Sequence, residues 1–147
     1  MCTVSELRQA TASTVAAVLV SGYAVAAGYP SPAQDYYDGT LDLNQHLIKD
    51  TTSTFIVRVA GDSMTGAGIF DGDELVVDRA LTAQHGSVVI AIVDGELTVK
   101  TLHLDAQHEA AYLVPANPKY PRLRVPELSD FTIWGVVTYC LHRVKAG

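Results

Sequence analysis

Short apolar runs alternate with turn residues along the chain from Asp50 to the C-terminus. The runs are rich in valine, isoleucine and threonine and are bounded by glycine, aspartate and asparagine. Runs of this length and composition are typical of strands in an all-β domain. The pattern predicts strands at residues 54–60, 73–79, 87–93, 96–104, 110–116, 122–125 and 131–141.

The turn signals between these runs indicate how the strands connect. Asp94 and Gly95 separate two strong strand segments, and glycine tolerates the positive φ that a tight hairpin requires. We therefore expect a β-hairpin at this point. The fold class that follows is mainly β, with a compact, curled or closed β-rich domain over residues 46–147.

Residues 1–45 have a different composition. No lysine or arginine occurs between Gln9 and Ile48, and prolines and glycines interrupt the segment. We therefore expect an extended, partly irregular N-terminal arm that lies outside the core. Helix is expected only within the first 50 residues, where residues 41–48 favour a short helix or turn.

Composition limits the classes of function. Of the 147 residues, 48% are apolar and 18% are charged, which predicts one folded domain with a substantial core. A net charge of -6 opposes unaided binding to nucleic acid, because that binding requires cations. Cys2 and Cys140 are far apart and the five histidines are scattered, so neither a disulfide framework nor a metal site is indicated. We expect no cofactor.

The chemistry is concentrated in residues 59–77, where a strand ends and a glycine-rich turn begins. Ser63 stands at the start of this turn, where its hydroxyl can be exposed and backbone N–H groups can converge. A serine at such a place is otherwise an ordinary turn residue that binds its own backbone. To act as a nucleophile it needs a neighbouring base.

Lys100 is the candidate base. It lies in the middle of a predicted strand and shares a face with Thr98 and Leu102, since side chains alternate along a strand. A lysine in this setting extends its amine to solvent or loses its proton because burial disfavours the charge. A neutral amine within reach of Ser63 would serve as a general base. Spacing alone does not decide between these alternatives.

Residues 24–28, AVAAG, indicate a cleavage site. Small residues at Ala24 and Ala26 fit the rule for removal of a secretory signal peptide, after an apolar stretch that follows Arg8. That interpretation is weakened by the single arginine and by the polar residues that interrupt the apolar stretch. Cleavage by the protein itself is the alternative.

Six stretches together resemble the LexA/UmuD family of self-cleaving serine peptidases, and within it the branch that acts in SOS mutagenesis. The similarity runs in order from Gly28 to the C-terminal region, while the first 27 residues match weakly. The stretches are GYPSPAQDY (28–36), LDLNQHLI (41–48), GDSMTGAGIFDGDELVVD (61–78), TAQHGSVVIAIVDGELTVKTL (82–102), LVPANPKY (113–120) and WGVVTY (134–139).

This resemblance implies roles for particular residues. Ser63 falls on the family nucleophile and Lys100 on its general base, which makes the protein a serine endopeptidase that acts by autoproteolysis. The bond between Ala27 and Gly28 falls on the scissile bond. The backbone N–H groups of Asp62 and Ser63 are expected to form the oxyanion hole.

The resemblance also implies partners. A RecA filament on single-stranded DNA is expected to stimulate cleavage, and the product is expected to be a homodimer that serves as accessory subunit of a UmuC-type translesion DNA polymerase. We expect a cytoplasmic protein without membrane contact and without direct sequence-specific DNA binding.

The alternative within the family is a LexA-like or phage-type transcriptional regulator that self-cleavage inactivates. Only 27 residues precede Gly28, which we take as too few for a three-helix DNA-binding module. Outside the family, the rivals are a secreted β-domain and a binding module with an inactive cleft.

Overall fold

The computed structural model describes residues 2–9, 17–21, 27, 37–125 and 131–146. Within these ranges the protein is mainly β, as predicted. Its strands are β1 (Thr3–Gln9), β2 (Ala17–Ser21), β3 (Tyr37–Asp42), β4 (Thr54–Ala60), β5 (Glu74–Asp78), β6 (Val88–Val93), β7 (Glu96–Asp105), β8 (Ala110–Val114), β9 (Leu123–Arg124) and β10 (Phe131–Leu141).

Eight of these strands form one antiparallel sheet in the order β1-β4-β5-β10-β6-β7-β8-β9. Strand β1 pairs with β4 and, at its first residue, also with β7. This second pairing joins the two sides of the sheet into a closed barrel, from which β8 and β9 continue outward. Strands β2 and β3 form a separate two-stranded sheet.

The hairpin between β6 and β7 fixes the register at the site described below. Its two turn residues, Asp94 and Gly95, both have positive φ values of 49° and 80°. A two-residue hairpin turn of type I′ needs positive φ at both positions, so the predicted hairpin is confirmed. The resulting register places Val89 opposite Lys100.

Valine and other β-branched residues on the inner faces of the strands build the core. Three of the strands, β5, β6 and β7, each carry at least three consecutive buried residues, so both faces of the sheet are covered there. One buried cluster, which also includes the N-terminal Cys2, consists of Cys2, Val57, Val59, Met64, Ile69, Leu75, Val77, Ile90 and Val99. A second consists of Val89, Ala91, Leu102, Leu113 and Val136.

The seven strands predicted after Asp50 are all present, with bounds that differ by no more than a few residues. The helix predicted within residues 41–48 is also present as α1 (Leu43–Leu47), where the Asp42 carboxylate accepts the Asn44 N–H at 3.0 Å. A 3₁₀ turn over Thr65–Ala67 was not predicted.

The N-terminal residues depart from the expectation of an arm outside the core. Cys2 is fully buried and β1 belongs to the main sheet. The sequence missed this because TVSELRQ lacks the regular alternation that predicts a strand, so its structure depends on pairing with β4. The division of the chain near residue 45 stays a prediction. No helix in the described ranges is long and apolar enough to cross a membrane.

Candidate active site

The turn that carries Ser63 follows β4 and is held by a loop that follows β8. The Ser63 carbonyl accepts the Ala116 N–H at 2.8 Å, and the Gly66 N–H donates to the Ala116 carbonyl at 2.7 Å. These two main-chain bonds fix the turn from both sides. The Ser63 side chain is thereby aimed inward, where it has no exposed surface.

Asp62, the residue before Ser63, is fixed by the same loop. Its carbonyl accepts from the Asn117 side-chain amide at 2.9 Å, and its carboxylate accepts from the Tyr120 hydroxyl at 2.5 Å. The hydrogen bond from Tyr120 lowers the pKa of the Asp62 carboxyl below its usual range. The contacts from Asn117 and Tyr120 therefore fix the backbone of Asp62 beside Ser63. The Asp62 side chain stays charged at the surface.

Gly66 permits the close approach of the two loops. A Cβ atom at this position would lie 2.5 Å from the Ala116 carbonyl oxygen, closer than van der Waals contact allows. We expect Gly66→Ala to force the loops apart and to lower the free energy of unfolding by about 1–3 kcal/mol, the usual cost of overpacking. Denaturant unfolding measures this loss. The exposed Ala67→Ser is the control; equal stability of the two variants would contradict the role of Gly66.

Lys100 lies in β7 with its whole side chain buried and no exposed surface. Its Nζ is 2.9 Å from Thr98 Oγ1, 3.0 Å from the Val99 carbonyl oxygen and 3.3 Å from Ser63 Oγ. Burial lowers the pKa of the Lys100 amine, because the charged form loses its solvation. The side chain therefore does not extend to solvent, and its burial favours the neutral amine.

The neutral form of Lys100 fits these three contacts. A neutral amine has two N–H donors and one lone pair. Thr98 Oγ1 and the Val99 carbonyl accept the two protons, which leaves the lone pair for the third neighbour, the Ser63 hydroxyl. The arrangement can remove a proton from Ser63.

Cys2 covers this pair of side chains. Its N–H donates to Ser63 Oγ at 2.7 Å, and its carbonyl accepts from Thr98 Oγ1 at 3.0 Å. Burial raises the pKa of the Cys2 thiol from 9.0 to about 11, because the thiolate would lose its solvation. The thiol therefore stays protonated at neutral pH.

Of the two residues at the predicted cleavage site, the structure describes only Ala27. Ala27 is an exposed residue in a bend, and Gly28 lies outside the described residues, so the geometry of their peptide bond is not described. The assignment of the Asp62 and Ser63 N–H groups to an oxyanion hole stays a prediction. In the described part of the chain, no group of three or more His, Cys, Asp or Glu side chains is placed to hold a metal ion.

Four contacts of the site were not found from the sequence. Thr98 was placed on the same strand face as Lys100, but the hydrogen bond that it accepts from the amine was not predicted. Asn117 and Tyr120 belong to the ANPKY loop, which the sequence indicated only as a turn. No sequence pattern indicates that Cys2 contacts Ser63, because its position depends on the pairing of β1 with the distant strands β4 and β7.

Comparison with known proteins identifies the class. Residues 18–138 match the family described as Peptidase S24-like. Because this match covers most of the chain, the protein belongs to the Peptidase S24-like family. The predicted self-cleaving serine peptidase is therefore confirmed at the level of the family.

Individual relatives agree with this placement. Protein SamA of Salmonella typhimurium is 46% identical over 120 residues, covering 82% of this chain and 81% of the relative. Protein MucA of Escherichia coli is 43% identical over 118 residues, covering 80% and 79%. A LexA repressor of Syntrophotalea carbinolica is 44% identical but covers 63% of this chain and 45% of its own length. The resemblance predicted from the sequence, to the UmuD branch rather than to LexA, is confirmed.

Proposed function

We propose that Ser63 and Lys100 form a catalytic dyad that cuts the bond between Ala27 and Gly28 of the chain itself. One observation carries the proposal: a fully buried lysine amine lies 3.3 Å from a fully buried serine hydroxyl. Among the described residues, the contacts of the Lys100 amine are to Ser63, Thr98 and Val99, and none of them is a carboxylate. Burying an amine in this way costs free energy, and such a cost is typical of a functional site.

The reaction follows from these positions. Lys100 takes the Ser63 proton while Oγ attacks the Ala27 carbonyl carbon, and the N–H groups of Asp62 and Ser63 bind the oxyanion. The protonated Lys100 then gives its proton to the Gly28 nitrogen as the carbon–nitrogen bond breaks. Water hydrolyses the resulting ester and releases Ser63. Small side chains at Ala27 and Gly28 permit close approach of the carbonyl.

The wider role rests on similarity. Protein SamA, Protein ImpA and Protein MucA match about four fifths of the chain, which supports a place in SOS mutagenesis. We infer that a RecA filament on single-stranded DNA stimulates the cleavage in the cytoplasm. The product that begins at Gly28 forms a homodimer and serves as accessory subunit of a UmuC-type translesion polymerase.

Incubation of the purified protein with RecA, single-stranded DNA and a nucleotide tests this function. We expect the intact chain to give two fragments, with Gly28 at the N-terminus of the larger one by sequencing. RecA without DNA is the control and should give much slower cleavage. An intact chain, or a fragment with another N-terminus, would contradict the assigned bond.

A further inference from the structure

The N-terminal strand closes the barrel at the place where Ser63 and Lys100 lie. Strand β1 runs along β4 from the pair Thr3–Ala60 to the pair Gln9–Phe55. Thr3 is also opposite Thr98 of β7. The edges of β4 and β7 therefore form a groove that admits one strand, and the start of β1 fills it.

The occupant of this groove blocks the nucleophile. Ser63 Oγ already accepts the Cys2 N–H at 2.7 Å, and Cys2, Ser63 and Lys100 all have no exposed surface. A carbonyl carbon must come within about 3–3.5 Å of the nucleophile before it reacts. No peptide bond can reach Ser63 until Cys2 leaves.

We propose that the groove between β4 and β7 is a strand-binding site with two alternative occupants from this chain: residues 2–9, which block Ser63, and the segment around Ala27 and Gly28, which is cut. The proposal rests on the proposed function. It makes β1 a competitive inhibitor built into the chain, and its release a step that precedes cleavage.

The chemistry of the groove suits an exchange of strands. Main-chain hydrogen bonds supply most of the affinity when a strand is added to a sheet edge, so different sequences can occupy one groove. Within residues 2–9, Cys2 belongs to the buried cluster and the partly buried Val4 packs against it. Residues 24–27 offer alanine and valine, which the same space can accept.

Cys2 provides a direct probe of β1. Its thiol is buried and protonated when the strand is bound, so a thiol reagent reaches it only after release. Cys140→Ser, hereafter the parent, leaves Cys2 as the single thiol of the chain. Alkylation of Cys2 by iodoacetamide then measures release of the strand independently of any cleavage.

The decisive variant is Leu7→Pro in this parent. Leu7 lies in the middle of β1 and its side chain is exposed, so proline disturbs strand pairing and leaves the core intact. We expect both alkylation of Cys2 and formation of the Gly28 fragment to accelerate by about tenfold or more. The free energy of about one hydrogen bond between β1 and its neighbour corresponds to this factor. Leu7→Thr, which keeps the strand, is the matched control.

A peptide of residues 2–9 with blocked ends, added to the Leu7→Pro variant, should slow cleavage again. A peptide of the same composition in scrambled order should have no effect. Cys2 that reacts in the parent as fast as in denaturant would overturn the proposal. Faster alkylation of Leu7→Pro without faster cleavage would also overturn it.

A disulfide lock keeps the test valid if Leu7→Pro does not fold. Arg8 and Ile56 are directly opposite each other in β1 and β4. In the double variant Arg8→Cys/Ile56→Cys, oxidation should stop cleavage and reduction should restore it, and equal rates in both states would overturn the proposal.

If no variant gives a Gly28 fragment under any condition, the proposed function itself fails. If fragments form at rates unaffected by β1, only the strand exchange fails.

Discussion

Replacement of Ser63 by alanine or of Lys100 by methionine is expected to abolish self-cleavage while the protein remains folded. Loss of Ser63 removes the attacking oxygen, and loss of Lys100 removes the group that activates it. Removal of a general base alone costs about 10²–10⁴-fold in rate. Fragment formation, followed on gels over several days at alkaline pH, measures both effects.

The stability of the two variants separates catalysis from folding. Methionine has a length similar to that of lysine and fills the same buried space without a group that needs solvation. Lys100→Met should therefore be as stable as the original chain or more stable, by up to about 2 kcal/mol, since residues placed for function often reduce stability. Denaturant unfolding measures the difference. Lys145→Met, at an exposed position, is the control.

Two outcomes would contradict the dyad. A Gly28 fragment that forms at the original rate in either variant would show that another group carries the reaction. A large loss of stability in Lys100→Met would show that the buried amine serves the fold, because its contacts to Thr98 and Val99 would then be structural.

The strands after Asp50 were predictable because their signal is local. The β-branched runs and the Asp94–Gly95 turn act within a few residues, and both agree with the final sheet. The fold class followed from them. The sheet order did not, because β10 pairs with both β5 and β6 and no local pattern encodes that choice.

The site was predictable in part. The glycine-rich turn and the lysine inside an apolar strand each indicated chemistry, and resemblance to a family joined them. The contact between Ser63 and Lys100 could not be derived from spacing, because it depends on closure of the barrel, which brings β7 near the end of β4. The contact with Cys2 was beyond prediction for the same reason, since its partner Ser63 lies 61 residues away.

The rate of self-cleavage without RecA is expected to rise with pH, by about tenfold per unit, until the pH passes the lowered pKa of Lys100. Below that pKa the reactive neutral amine is the minor form, and each unit increases its fraction tenfold. Burial lowers this pKa, so the plateau should come at a lower pH than for an ordinary lysine. Initial rates of fragment formation between pH 7 and about pH 9 measure the profile.

The stability of the fold limits the useful range of pH. Lys100 binds its proton less tightly in the folded than in the unfolded chain, so its contribution to stability increases as pH rises towards the unfolded pKa. The Cys2 thiol acts in the opposite direction: its pKa is raised from 9.0 to about 11, so its contribution is complete below 9.0 and is lost as pH rises through 11. Rates measured below about pH 9 therefore avoid ionisation of Cys2.

Cys2→Ser separates the two titrations, because serine does not ionise in this range. The absolute rate in this variant is free to change, since residue 2 contacts Ser63, but the slope with pH should remain if Lys100 sets it. A slope that disappears in Cys2→Ser would assign the profile to release of the N-terminal strand by the thiolate. A rate that falls as the pH rises from about 7 to about 9 in both proteins would contradict an amine that must lose its proton before Ser63 can attack.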